Sequence, residues 1–102
     1  MLEDDDIGKV IYCDKDFKII NTRNEFILVN RNGEYHNHCH LKKESTCYLL
    51  MKIVKRRQLP RSTFLLEAAR RLTVDEAYLH EIELKQKKKK QKYVNSQKGV
   101  RK

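Results

Sequence analysis

The run HNHCH, residues 36–40, gathers three of the chain's four histidines and one of its three cysteines into five positions. Imidazole can ligate zinc, copper or nickel, or hydrogen-bond a base edge. On a strand, alternate residues share a face. His36, His38 and His40 would then point one way, and Tyr35, Asn37, Cys39 and Leu41 the other. That geometry permits a three-histidine metal site. A structural zinc site takes four ligands, however, and no second ligand pair at regular spacing is present. Cys13 or Cys47 would complete it only through tertiary proximity. The letters HNH do not make a nuclease, because the residues so named in metallonucleases are far apart in sequence, whereas adjacent strand residues face opposite ways. The plainest alternative is a strand of exposed histidines that hydrogen-bond along it.

Nothing else in the chain spells a catalytic constellation. It has no nucleophile elbow, no glycine-rich phosphate loop and no HExxH. The carboxylates at residues 3–6 fall on a terminus expected to be mobile, and Cys13 and Cys47 read as buried, inert thiols. The expectation is a protein that is not an enzyme and carries no cofactor. Three cysteines in no zinc-ribbon spacing argue against a disulfide framework and for a reducing compartment. No apolar run has the length of a membrane span, and MLEDDDIGK is acidic where a secretory signal is basic and then apolar. A cytoplasmic protein without membrane contact is expected.

Charge is the strongest bulk signal. Residues 1–40 hold five Lys/Arg against eight Asp/Glu, and residues 41–102 hold eighteen against six, so a net +9 is concentrated in the second part. Such a half attracts polyanions, nucleic acid first and an acidic protein second. The candidate contacts are Lys52, Lys55, Arg56, Arg57, Arg61, Ser62, Arg70 and Arg71, followed by the run KQKKKKQK with Lys85, Lys87, Lys88, Lys89, Lys90 and Lys92.

The elements that position these residues follow from pattern. KVIYC and FKIIN, separated by DKD, read as one hairpin. FILV, then NRNG with residues tolerant of positive φ, then EYHNHCHL, read as a second. From Ser45, an expected N-cap, the period becomes helical with Cys47, Leu50, Met51 and Val54 on one stripe. Pro60 forces an end near Gln58. RSTFLLEAARRL predicts a second helix capped by Ser62, with Leu65, Ala68, Ala69 and Leu72 inward and Arg70 and Arg71 toward solvent. TVDE predicts a capping box, Thr73 with Glu76, that opens a third helix with Ala77, Tyr78, Ile82 and Lys85 on one face. The lysine run offers no apolar stripe, so that helix is expected to fray there. YVNSQKGVRK is expected to be mobile, with Tyr93 and Val94 as docking points.

Residues 34–72, a strand, a helix, a tight turn and then RS opening a helix that ends EAARRL, resemble the ribbon-helix-helix DNA-binding module. The resemblance implies a homodimer whose paired strands enter the major groove. His36, His38 and His40 would become the base-reading residues, Arg61 and Ser62 the phosphate-binding helix start, and Leu50, Val54, Leu65, Ala69 and Leu72 the dimer core. This chain departs from the pattern in its long leader, its QLP turn without glycine and a reading face without fixed charge. The tract LPRSTFLLEAARRLTVDEAYL and the terminal KYVNSQKG also resemble small uncharacterised proteins of Gram-positive bacteria and their phages, a likeness that implies no function.

The sequence therefore predicts an α+β fold with two amino-terminal antiparallel hairpins and three helices. One domain spans 1–84, and 85–102 forms a lysine-rich extension. The expected function is regulatory nucleic-acid binding, more readily DNA. The alternatives are an adaptor or inhibitor that docks on an acidic protein and, third, a metal-binding protein.

Overall fold

The structure, a computed structural model, describes residues 8–101, with side chains described for residues 8–90. The expectations for residues 1–7, for Lys92, and for Tyr93 and Val94 lie outside the described residues or side chains. The fold is α+β. Strands β1 (Lys9–Cys13), β2 (Phe17–Asn21), β3 (Phe26–Asn30) and β4 (His38–Leu41) precede helices α1 (Glu44–Lys55), α2 (Thr63–Leu72) and α3 (Glu76–Arg101). The two expected hairpins join into one antiparallel sheet of order β1-β2-β3-β4.

Each tight connection has a side chain that closes it. Asp14 accepts the amides of Asp16 and Phe17 at 2.8 and 2.7 Å, so DKD turns β1 into β2. The Thr22 hydroxyl accepts the Glu25 amide at 3.1 Å and closes β2 to β3. The register then fixes the faces. Ile19, Leu28 and Cys39 share one cross-strand row, and Phe26 and Leu41 pair in the next row toward the β2–β3 turn. This face packs on Cys47, Leu50, Met51 and Ile53 of α1, on Leu66, Ala68, Ala69 and Leu72 of α2, and on Tyr78 and Ile82 of α3. The alternation that puts Cys39 and Leu41 inward thus sends His38 and His40 to the opposite face.

The β3–β4 connection differs from expectation. The last strand begins at His38, not Tyr35, because Asn37 is spent on a turn: its side-chain oxygen accepts the Glu34 amide at 2.9 Å. Among the described residues no glycine has positive φ. Gly33 is required instead for close approach, since a Cβ there would lie 2.5 Å from Asn37 Oδ1. The Asn37 amide reaches into the body and donates to the carbonyls of Arg71 (3.1 Å) and Thr73 (3.4 Å), while Asn30 donates to that of Leu72 (2.8 Å). Carbonyls at a helix end have no intrahelical donors. Two buried asparagines supply them at the end of α2.

The helix ends correct three further details. α1 starts at Glu44 with Lys43 as N-cap and no side-chain cap, so Ser45 does not serve. α2 starts as expected, with the Ser62 hydroxyl accepting the Leu65 amide at 3.2 Å. α3 is capped by Asp75, which accepts the amides of Ala77 (3.0 Å) and Tyr78 (3.2 Å), so the Thr73–Glu76 box does not form. Thr73 is buried as the C-cap of α2, and its hydroxyl accepts the Asp75 amide. Ala77, expected to face inward, is exposed.

α1 stops at Lys55, three residues before the expected end near Gln58, in a Schellman turn: Gln58 N–H bonds Ile53 O (2.9 Å) and Arg57 N–H bonds Val54 O (3.2 Å). Arg57 takes the left-handed position with φ 52°, where glycine is usual. A side chain there costs about 1 kcal/mol. The Arg57–Asp75 pair at 2.8 Å partly offsets this, an exposed pair being worth about 0–1 kcal/mol. Arg57→Gly is expected to leave the chemical denaturation midpoint unchanged or raise it, whereas Arg57→Ala keeps the strain, loses the pair and lowers the midpoint.

Candidate functional site

The basic residues divide by what holds them. Lys55 pairs with Asp14 at 3.1 Å and lies over the Phe17 ring. Asp14 is held well below the usual carboxylate range, first by the Tyr12 hydroxyl. Arg57 pairs with Asp75. Arg70 makes a two-pronged bond to Glu67 (Nε to Oε1 2.9 Å, Nη2 to Oε2 2.6 Å), and Arg71 lies 3.5 Å from the same carboxylate. Arg70 is thus drawn onto Glu67, while Arg71 stays mostly exposed to solvent, as expected. Lys52, Arg56, Arg61, Lys87, Lys88 and Lys90 make no ion pair among the described residues.

Glu67 anchors the groove between α2 and α3, an open space of about 820 Å³ whose walls include Thr63, Leu66, Glu83, Lys89 and Lys90. Hydrogen bonds from Arg70 come first in lowering its carboxyl to about 2, and the amide of Gln86 and the side chain of Arg71 add to them. A depressed carboxylate stabilises the fold above its ordinary value of 4.5, and that contribution is lost as pH falls through about 2. Wild-type protein is therefore expected to lose stability between about pH 4.5 and 2 that Glu67→Gln does not lose, as read by thermal unfolding across that range.

The connector between α1 and α2 brings the lysine run into a site. The Tyr78 hydroxyl donates to Gln58 O at 2.6 Å, Lys85 Nζ donates to Leu59 O at 2.9 Å, and Lys89 Nζ donates to Arg61 O. Tyr78, Ile82, Lys85 and Lys89 recur at spacings of four, three and four residues and share the face of α3 turned to the body. Lys87, Lys88 and Lys90 fan over the remaining, exposed surface. Arg61 and the opening of α2 at Ser62 thus border Lys89 and Lys90, and no Asp or Glu follows Glu83. The helix does not fray where apolar residues run out, since carbonyl acceptors take over from the apolar stripe. Periodicity carries no signal of those acceptors.

The histidines are not gathered as a ligand set. His36 sits in the β3–β4 turn, away from the strand that was expected to hold it, and lines a polar depression with Arg71 and Glu76. His38 Nδ1 is 2.8 Å from Tyr35 O, and His40 Nδ1 is 2.5 Å from Glu25 Oε2. Among the described residues no three His, Cys, Asp or Glu side chains converge to hold a metal ion. Cys39 and Cys47 are free thiols that burial pushes up to about 12 and about 11, too high for a ready nucleophile. Cys13, expected to be buried, is exposed.

Of the residues that the ribbon-helix-helix resemblance assigns to a dimer core, Leu50, Ala69 and Leu72 are wholly buried inside one chain and Val54 and Leu65 pack partly against them. β4 already hydrogen-bonds β3 of the same chain. Among the described residues no helix is long and apolar enough to cross a membrane. The chain matches no protein-family model, no curated protein and no solved structure.

Proposed function

We propose that this chain is a non-enzymatic, cytoplasmic nucleic-acid-binding protein of regulatory type that engages duplex DNA with the face built from the α1–α2 connector and the lysine run of α3. One observation carries the reading. Lys55, Arg57, Arg70 and Arg71 are paired with Asp14, Asp75 and Glu67, while Arg61, Lys87, Lys88 and Lys90 have no carboxylate partner among the described residues. Unpaired ammonium and guanidinium groups on a helix repel one another, and phosphates relieve that repulsion by releasing condensed counterions. The opening of α2 adds free backbone amides beside Arg61.

A titration of labelled duplex DNA by fluorescence anisotropy at several salt concentrations tests this. Binding that falls steeply with salt supports the proposal; salt-independent binding, or none at low salt, removes it. The second reading, an acidic protein partner, is favoured by Phe64 at 58% exposure beside Ser62 and Leu84 at 45% on α3, since a protein would bury them and a phosphate backbone would not. Pairing of two chains along the free edge of β4 is a separate proposal, read from the sedimentation mass at micromolar concentration.

A further inference from the structure

The face of the sheet turned away from the helices carries a ladder of rings. Tyr35 is 93% exposed, so its ring adds almost nothing to the stability of the fold. Its backbone is nevertheless tied to the strand. Its carbonyl accepts the Nδ1–H of His38, and its ring meets that of His38 edge to face at 5.7 Å between centroids. His38 in turn meets His40 at 5.1 Å, and His40 is fastened by Nδ1 to the Glu25 carboxylate. With both Nδ1 atoms engaged, each imidazole keeps Nε2 at its opposite edge, an acceptor in the neutral ring.

The floor beside the rings is apolar. Val29 is the cross-strand partner of His38 and Ile27 that of His40; Ile20 and Val10 continue the second row, and Lys18 the first. The helices occupy the other face. Rings beside an apolar floor, in which Val10, Ile27 and Val29 are half-buried and Ile20 is buried, suit flat aromatic ligands. Bases in a duplex hide their faces in the stack, whereas unpaired bases offer them.

We propose that this sheet face is a stacking platform for single-stranded nucleic acid, with Tyr35 and His38 taking successive unpaired bases and the imidazole Nε2 atoms accepting from base N–H groups. The proposal rests on the nucleic-acid reading above and extends it to a second surface, so that duplex and unpaired strand bind different faces of one molecule.

Anisotropy titrations with labelled oligothymidine, oligouridine and a duplex, each of about 12 nucleotides, compare wild type with Tyr35→Ala, Tyr35→Phe and His38→Ala, with thermal melts as the fold control. Loss of one stacked base costs about tenfold in affinity. Tyr35→Ala and His38→Ala are expected to weaken single-strand binding by about that factor and leave duplex binding unchanged, with Tyr35→Phe close to wild type; the tighter of the two homopolymers identifies DNA or RNA. Because Tyr35 is exposed, its variants keep the test valid if His38→Ala unfolds. Single-strand affinity equal in wild type and Tyr35→Ala overturns the platform, as does absent single-strand binding or an equal loss on duplex. In the first two cases retained duplex binding leaves the basic-face proposal standing, while wild-type protein that binds neither form removes both.

Discussion

Replacing Lys87, Lys88 and Lys90 together by glutamine is expected to flatten the dependence of log K for duplex DNA on log salt by about 2.7, since each phosphate contact contributes about 0.9. At about 0.1 M salt this amounts to a loss of several hundred-fold in affinity by the same relation. The three side chains are exposed and make no ion pair, so the melting temperature should stay within about 1 °C. Lys85 and Lys89 should behave oppositely. Their ammonium groups are committed to the carbonyls of Leu59 and Arg61, so replacement by methionine should cost about 1 kcal/mol of stability each and change the salt slope less. Lysines adjacent in sequence thus divide into two classes, separable by running a denaturation curve beside a salt titration. An equal slope change per replaced lysine in the three variants would refute the division.

The second large effect is on stability. Asn37→Asp preserves shape and exchanges a donor for an acceptor at a point where two carbonyls, those of Arg71 and Thr73, converge at the negative end of α2. The buried side chain is 8% exposed. Leaving those carbonyls without a donor and setting a carboxylate against them should destabilise the protein by about 3–5 kcal/mol at neutral pH. The introduced carboxyl is raised above its unfolded value of about 3.9 by this environment. A raised acid contributes most below the unfolded value and loses that contribution as pH rises through the folded one. The variant should therefore recover part of its stability relative to wild type as pH falls toward 4. A constant difference between pH 4 and 8 would mean that the amide is not donating to the helix end.

Asn37 also shows where the sequence stops being legible. Alternation placed Cys39 and Leu41 on the face opposite the imidazoles of His38 and His40, and the β-branched runs marked β1 to β3. Extending the alternation back to Tyr35 failed, because an asparagine side chain that bonds a backbone amide three residues earlier makes a turn from a stretch whose letters continue a strand. His36 left the expected ligand set for that reason. The helix ends failed alike. Ser45 and Thr73 are good caps by residue type, but Lys43 and Asp75 hold the positions, and Asp75 is favoured because its second oxygen is needed by Arg57. Arg57 itself conceals a helix end, since the turn it makes is the one glycine would have announced. The basic character of the second part was visible from composition. Which of its charges are available was not, because pairs such as Lys55 with Asp14 join residues 41 positions apart.

The three bonds from the connector carbonyls to Tyr78, Lys85 and Lys89 act as a phase lock on α3. Contacts at Gln58, Leu59 and Arg61 engage positions of the helix seven and then four residues apart, about two turns and one. They set the rotation of the helix about its axis, and with it the directions in which Lys87, Lys88 and Lys90 point. One residue inserted between Ile82 and Lys85 would turn everything beyond it by about 100°, leaving charge and helicity unchanged while aiming the free lysines elsewhere. Four inserted residues would nearly restore the azimuth, displaced by about 6 Å along the axis. In this protein the position of the charge is counted in turns of helix, measured from a loop some twenty residues upstream.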